Sequence, residues 1–147
     1  FAKYVLPMIS RNPDDDELLL MQGTNPQPDS KAPLRDFFLG EQDDLVSRIL
    51  WNYLSAAKSV FKLEWETEPK DHLLRKTVGF SALMKVFAFI CPKMLDDGDV
   101  SEDAFRSFFE RAASGLGKGA FANSRYASSE SEAGRMARAI LSAATLK

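Results

Sequence analysis

The residues that form disulfides and bind structural zinc are scarce in this sequence, which has one Cys and one His among 147 residues. A single Cys cannot close an internal disulfide, and with a single His it cannot complete a zinc site built from four such ligands. A large excess of basic residues is also missing, because the formal net charge at pH 7 is -2. This balance excludes a chain that is basic throughout, such as a histone-like protein that coats DNA.

Long hydrophobic runs are missing as well. No apolar run reaches the ~18 to 20 residues of a membrane-spanning helix, and the first residues lack the charged and apolar regions of a secretion signal. The sequence is nevertheless 45% hydrophobic, which at this length suffices for one soluble domain with a sizeable core. We therefore predict a soluble, cytoplasmic chain without membrane association, and its start at Phe1 leads us to expect a piece of a longer protein.

The charges are distributed unevenly along the chain. Residues 1–44 have a net charge of -5, residues 45–104 of -1, and residues 105–147 of +4. Two positions in the basic segment, Arg135 and Arg138, lie one turn apart on a predicted helix and could contact phosphates there. A solvated helix face explains these residues equally well. The candidate nucleic-acid contacts are Lys118, Arg125, Arg135 and Arg138.

The first 40 residues are predicted to form an irregular, loop-rich segment. Their two apolar runs, 4–9 and 18–21, are too short for periodicity to separate strand from helix. An acidic turn is expected between them at residues 12–16. Residues 23–33 contain three prolines among polar neighbours, which favours an exposed loop.

Residues 41–147 are predicted to form a helical domain. An apolar stripe at three- and four-residue spacing begins near Glu41 and runs to Phe61, although Trp51 falls on its polar side. A second, nearly all-apolar helix is expected from Pro69 to about Ile90, with Pro92 ending it. With the two later helices described next, these patterns predict an all-α bundle of about four to six helices behind an irregular N-terminal segment.

Local capping signals predict where the last two helices begin. Ser101 can cap the third helix, with Glu102 and Asp103 in its first turn. Ser129 and Glu132 have the spacing of a capping box for the last helix. Between these helices, the alternate glycines of residues 114–120 predict an irregular loop.

Three features of the sequence suggest a phosphate site, a calcium site and a catalytic pair, but the residue patterns match none of these well. The glycines of residues 115–119 and Lys118 could hold a phosphate, but the Walker pattern is missing. Acids between Asp96 and Glu102 lack calcium-loop spacing and suit a turn and a helix start equally well. His72 and Cys91 are too far apart on the predicted helix to act together, roughly 28 Å at 1.5 Å per residue. We therefore predict no catalytic residue, metal or cofactor.

Three segments of the chain are similar to one known family. They are residues 49–61 leading to Trp65, residues 73–84 with a Lys-Thr-x-Gly-x-x-Ala-Leu pattern, and the glycine-rich loop that leads into the last helix. Over about residues 45–145 the chain resembles the C-terminal half of DGQHR-domain proteins, the group that includes DndB-like proteins of DNA phosphorothioation clusters. The candidate structural residues are Trp51, Tyr53, Trp65 and Gly79.

The resemblance implies a helical region of a longer bacterial protein whose ParB-like N-terminal domain carries the Asp-Gly-Gln-His-Arg signature. That signature is not in these residues, so no family active-site residue is carried over. The expected function is a non-catalytic helical module of a DNA-modification-linked or DNA-binding regulatory protein, with the N-terminal domain, DNA or a second copy as partner. Two alternatives stay open: a nucleotide-binding enzyme fragment using residues 115–119, and a purely structural or oligomerising domain.

One packing hypothesis comes from the matched residues themselves. A glycine inside a helix costs about 1 kcal/mol relative to alanine, so Gly79 suggests that another backbone approaches closely. The long first helix near Asn52 or Tyr53 is the expected neighbour. The hydroxyl of Tyr53, on the apolar stripe, is expected to find a hydrogen-bond partner.

Overall fold

The all-α class is confirmed. The computed structural model describes residues 2–29, 31–66, 74, 76–117, 120–121 and 129–145, and these ranges contain helices and no strand. The predictions made above for one set of residues lie outside the described ranges: Pro69, His72, Lys118, Gly119 and Arg125. The helices are α1 (Ala2–Ile9), α2 (Pro13–Met21), α3 (Arg35–Leu39), α4 (Asp43–Val60), α5 (Lys62–Glu66), α6 (Thr77–Asp96), α7 (Glu102–Leu116) and α8 (Glu130–Thr145).

The chain divides into two compact units, with the division inside α4. Unit 1 is Phe1–Leu50 and unit 2 is Trp51–Lys147. In unit 1, both short apolar runs are helical, within α1 and α2. The turn expected at residues 12–16 is instead largely the first turn of α2, because Pro13 at the start and three acids after it suit a helix N-terminus.

The second predicted helix differs from the observed α6 at both ends. The extended backbone of Lys76 precedes the helix, so it begins at Thr77. The expected end at Pro92 is wrong, because α6 continues to Asp96 with Pro92 inside it. Proline removes one N–H donor, and the carbonyl left without it belongs to Ala88, on the exposed side where water can solvate it.

Helix α6 is also long and apolar enough to cross a membrane by length and composition. Its 18-residue window has a mean hydropathy of 1.6, and 56% of that window is buried inside the protein. Residues from Val78 to Cys91 supply most of this buried surface. That burial is typical of the core helix of a soluble domain, which passes the same test.

The last two helices begin as their caps predict, and they pack closely. The Ser101 hydroxyl accepts a hydrogen bond from the Ala104 N–H, and the Ser129 hydroxyl accepts one from the Glu132 N–H. Helix α8 packs against α6 and α7. The expected loop over residues 114–120 begins later than predicted, since Gly115 belongs to α7, and a Cβ at this position would come within 2.8 Å of the Ala143 carbonyl. The close crossing therefore favours the residue without a side chain.

Candidate functional site

Helix α4 carries an exposed indole beside a deeply buried tyrosine. Trp51 is 73% exposed, whereas Tyr53 is fully buried, because positions two apart point to nearly opposite sides of a helix. Between them, the Asn52 side-chain amide donates to the Val100 carbonyl at 3.1 Å. The indole therefore projects into solvent from a helix that is fixed on its other side.

The Tyr53 side chain forms the centre of the unit 2 core. Its hydroxyl donates to the Leu83 carbonyl of α6 at 2.5 Å. Its ring lies 4.8 Å from that of Phe87, 5.3 Å from Phe105 and 5.2 Å from Phe109, centroid to centroid. Burial raises the pKa of Tyr53 well above its ordinary value, so the group stays a neutral donor. These contacts give Tyr53 a structural role.

The other two candidate structural residues differ in burial. Trp65 is half-buried in the short helix α5. Gly79 is buried in α6, one turn before Leu83, whose carbonyl receives the Tyr53 hydroxyl. The proposed close approach of Asn52 or Tyr53 to Gly79 stays a prediction.

The basic residues of the tail differ in how well their charges are compensated. Arg135 on α8 pairs with Glu132 at 2.6 Å, and Arg106 on α7 pairs with Glu102 and Asp103. Arg138 is exposed and makes no ion pair within the part of the chain that the structure describes. Of the two arginines expected to contact phosphates from α8, Arg138 is therefore the one whose charge is available.

The described part of the glycine-rich segment is a helix C-terminus. Helix α7 extends through Leu116 and ends at Gly117, which adopts a φ of 76°. A helix C-terminus carries partial negative charge, whereas bound phosphates favour N-termini. The adjoining cavity of about 250 Å³ also includes the Glu64 carboxylate among its lining residues. The nucleotide-binding alternative stays a prediction, because Lys118 lies outside the described residues.

The acidic residues before α7 form hydrogen bonds that shape the helix start. The Asp99 carboxylate accepts from the Ser101 N–H at 3.1 Å. Hydrogen bonds from the Ser101 side chain and backbone lower the pKa of Asp99. Among the described residues, no group of three His, Cys, Asp or Glu could hold a metal ion.

The single cysteine is held as an unreactive thiol. Cys91 is completely buried in α6, and burial raises its pKa to about 12. A thiol that stays protonated at physiological pH is a weak nucleophile. Its position is that of a small apolar core residue.

Unit 2 also contains an open cavity of about 310 Å³ where α6, α7 and α8 meet. We call it the α6–α8 groove. Its apolar lining includes the buried Ile90 and Phe108, together with Phe89, which is 71% exposed at the rim. Two exposed cations, Lys93 and Arg111, line it as well. Neither cation forms an ion pair with any residue in the described ranges.

Sequence reasoning missed this groove because three separated helices build it. Phe89 continues the apolar run of α6, so the sequence predicts it to be a core residue. The signal that could have located it is the pair Phe89 and Lys93, one turn apart at the end of α6. Only the packing of α7 and α8 brings Arg111 and Leu141 to the same cavity.

Sequence reasoning also missed a polar network in unit 1. The buried Arg35 guanidinium donates to both Asp16 carboxylate oxygens, at 2.5 and 2.8 Å. It also donates to the carbonyls of Ile9 and Gln27, and the Ser10 hydroxyl donates to Asp16. Hydrogen bonds from Arg35 and then Ser10 lower the pKa of Asp16 to about 2. The network joins the ends of α1, α2 and α3.

Comparisons with known proteins leave these surfaces to be interpreted from their own geometry. No family model matches the chain, and no curated protein or solved structure is significantly similar to it. The fold and the contacts together define an all-α chain in which an aromatic core supports an exposed indole and an apolar, cationic groove.

Proposed function

We propose that this chain is a non-catalytic helical interaction module of a bacterial DNA-modification-linked protein of the DGQHR type. It acts through a protein contact centred on Trp51. The observation that carries the proposal is the 73% exposure of this indole on a helix whose opposite side is anchored by Asn52 and Tyr53. The resemblance of residues 45–145 supports this type of protein.

An exposed indole on a fixed helix suits a binding surface. Tryptophan is among the residues enriched at the energetic centres of protein interfaces, where burial of its large ring stabilises the complex. The ring of Trp51 needs no rearrangement of α4 to meet a partner, because Tyr53 is already held among Phe87, Phe105 and Phe109. A helix whose position is already fixed also loses less conformational entropy on binding.

The expected partner is a DGQHR-bearing domain, and tryptophan fluorescence tests the contact directly. A Trp65→Phe variant leaves Trp51 as the single tryptophan. Titration with a purified DGQHR-bearing domain from the same genome should shift its emission to shorter wavelength and saturate, because the indole leaves water. The matched Trp51→Phe variant, which reports only the half-buried Trp65, should respond little. A saturable interaction that leaves the Trp51 emission unchanged would contradict the proposed contact.

A second candidate function is contact with DNA through α8. The observation that favours it is the charge of Arg138, which forms no ion pair with any described residue, whereas that of Arg135 is paired with Glu132. Anisotropy titrations with a short labelled duplex at low salt should show weaker binding for Arg138→Ala and a salt slope reduced by about 1. Arg135→Ala should have the smaller effect. The DNA contact is ruled out by no binding at micromolar protein, or by binding that neither substitution alters.

A further inference from the structure

Helix α2 of unit 1 has no buried side chain. Three large apolar residues near its C-terminal end are exposed: Leu18 by 55%, Leu20 by 48% and Met21 by 79%. Among the described residues, the side-chain polar contacts of this helix with the rest of unit 1 converge on Asp16, which pairs with Arg35 and accepts a hydrogen bond from the Ser10 hydroxyl. Because Leu18, Leu20 and Met21 are exposed, this helix has an apolar face with no partner among the described residues.

One face of α2 combines this apolar surface with negative charge. Asp14, Glu17, Leu18 and Met21 occupy positions i, i+3, i+4 and i+7 of the helix, so they share a face. Both acids are exposed. The face is therefore acidic toward the helix start and apolar toward its end.

The α6–α8 groove of unit 2 has the complementary surface. Ile90 and Phe108 form an apolar floor, and Phe89 adds an exposed ring. Lys93 and Arg111 supply two positive charges that have no ion-pair partner in the described ranges, while Asp97 is the acidic residue of the lining. The acidic end of a docked helix would thus be directed to Lys93 and Arg111.

The dimensions of the two surfaces agree. At 1.5 Å per residue, the nine residues of α2 extend about 13.5 Å, and the α6 wall from Phe89 to Asp97 extends about 12 Å. The cavity of about 310 Å³ lies at the small end of ligand cavities. A cavity of this size can accept a few side chains from one face of a helix, while the helix backbone stays outside the cavity. In this arrangement the helix lies along an apolar groove and inserts the exposed apolar side chains of its C-terminal half.

We propose that α2 of one copy of this chain docks into the α6–α8 groove of a second copy. The second copy is the occupant because this chain itself carries both complementary surfaces, an acidic apolar helix and a cationic apolar groove. Leu18 and Met21 enter the groove, and Asp14 and Glu17 approach Lys93 and Arg111. Reciprocal docking gives a closed dimer with two equivalent contacts.

The mass of the full chain, measured by sedimentation equilibrium over a range of concentrations, tests this contact. The parent chain should shift from monomer to dimer as concentration rises. A Leu18→Ser/Met21→Ser variant and a Lys93→Glu/Arg111→Glu variant should each weaken self-association by about tenfold or more. The control is Leu63→Ser, which alters a residue of unit 2 that is 73% exposed and is not among those lining the groove. It should associate like the parent.

Mixing the two defective variants identifies the contact surfaces. The Leu18→Ser/Met21→Ser variant keeps its groove, and the Lys93→Glu/Arg111→Glu variant keeps its α2, so one good contact can form only between unlike chains. Labelled mixtures should therefore form a heterodimer more tightly than either variant associates with itself. The proposal is overturned by a parent that stays monomeric, by variants that associate like the parent, or by a mixture that shows no preference for unlike chains. Far-UV circular dichroism of each variant confirms that the helices are retained.

Discussion

Each of the two units of this chain is stabilised internally by a different kind of interaction. In unit 1, the buried apolar side chains are small or aliphatic, such as Met8 and Leu34, and a buried ion pair joins Arg35 to Asp16. In unit 2, the core is built from aromatic rings around Tyr53. Unit 1 should therefore respond strongly to a change in charge, and unit 2 to a loss of packed volume.

The contrast extends to the surfaces that the units present. Helix α2 has no buried side chain, so its position depends on the Asp16 carboxylate. Trp51 is carried by a helix that Asn52 and Tyr53 fix in the unit 2 core. A well-packed core can hold an exposed aromatic ring in place for a partner, whereas a polar network holds its helix only while its charges persist.

The largest expected effect is a cavity in the aromatic core. Phe109→Ala removes a ring that contacts Tyr53, Phe61 and Phe108, and should lower the free energy of unfolding by about 4 kcal/mol. Phe89→Ala is the matched control, because that ring is 71% exposed. Denaturant unfolding measures both. Similar losses for the two variants would show that the ring cluster does not dominate unit 2.

Breaking the ion pair of unit 1 should have the next largest effect. Asp16→Asn leaves the Arg35 guanidinium, only 7% exposed, without its charged partner, and should destabilise unit 1 by about 3 kcal/mol. Asp15→Asn changes the exposed neighbouring acid and should have little effect. Thermal unfolding of the two variants makes the comparison, and equal midpoints would contradict a stabilising role for the pair.

The same pair predicts a loss of stability in acid. The pKa of Asp16 is lowered from 3.8 to about 2 in the folded chain, so the unfolded chain takes up the proton first as the pH falls. The stabilisation is complete above about pH 4 and is lost progressively toward pH 2. Unfolding midpoints measured across this range should fall less steeply for Asp16→Asn than for the parent. Identical slopes would exclude Asp16 as a source of the acid sensitivity.

Two glycine-to-alanine substitutions should change the free energy of unfolding in opposite directions. A Cβ at Gly115 would meet the backbone carbonyl of Ala143 at 2.8 Å, whereas one at Gly134 would meet the flexible end of Arg138 at 3.4 Å. Gly115→Ala should therefore lower the free energy of unfolding by about 2 kcal/mol, and Gly134→Ala should raise it by up to about 1 kcal/mol. Chemical denaturation distinguishes them. A stabilised Gly115→Ala variant would contradict the close crossing of α7 and α8.

The smallest effect concerns the cap of α7. Ser101→Ala removes the acceptor for the Ala104 N–H and should destabilise unit 2 by about 1 kcal/mol. Ser107→Ala, at an exposed interior position of the same helix, should be neutral or slightly stabilising, since alanine is the better helix former. If both variants unfold at the same denaturant concentration, the cap contributes nothing measurable.

Features that depend on neighbouring residues could be predicted from the sequence. The start of α7 could be predicted because the Ser101 hydroxyl lies three residues before the backbone N–H from which it accepts a hydrogen bond. The buried stripe of α4 could be predicted from the three- and four-residue spacing of its apolar side chains. The sequence could not show that α6 continues past Pro92. A helix can continue through a proline when the carbonyl that loses its N–H donor is exposed to water, and the exposure of that carbonyl depends on tertiary packing.

Features that join distant residues had no signal in the sequence. Asp16 and Arg35 are 19 positions apart, and nothing in their separate surroundings pairs them. The α6–α8 groove combines side chains from three helices, and the need for a glycine at position 115 comes from the Ala143 backbone that packs against it. Tertiary packing decides each of these cases.

Hydrogen exchange measured residue by residue on Asp16→Asn tests the contrast between the units most directly. If polar contacts hold unit 1 and aromatic packing holds unit 2, exchange should accelerate at the amides of α1, α2 and α3, while the amides of α7 keep the protection of the parent chain. The same acceleration throughout α7 would contradict the account, because it would mean that the Asp16 pair stabilises both units as one.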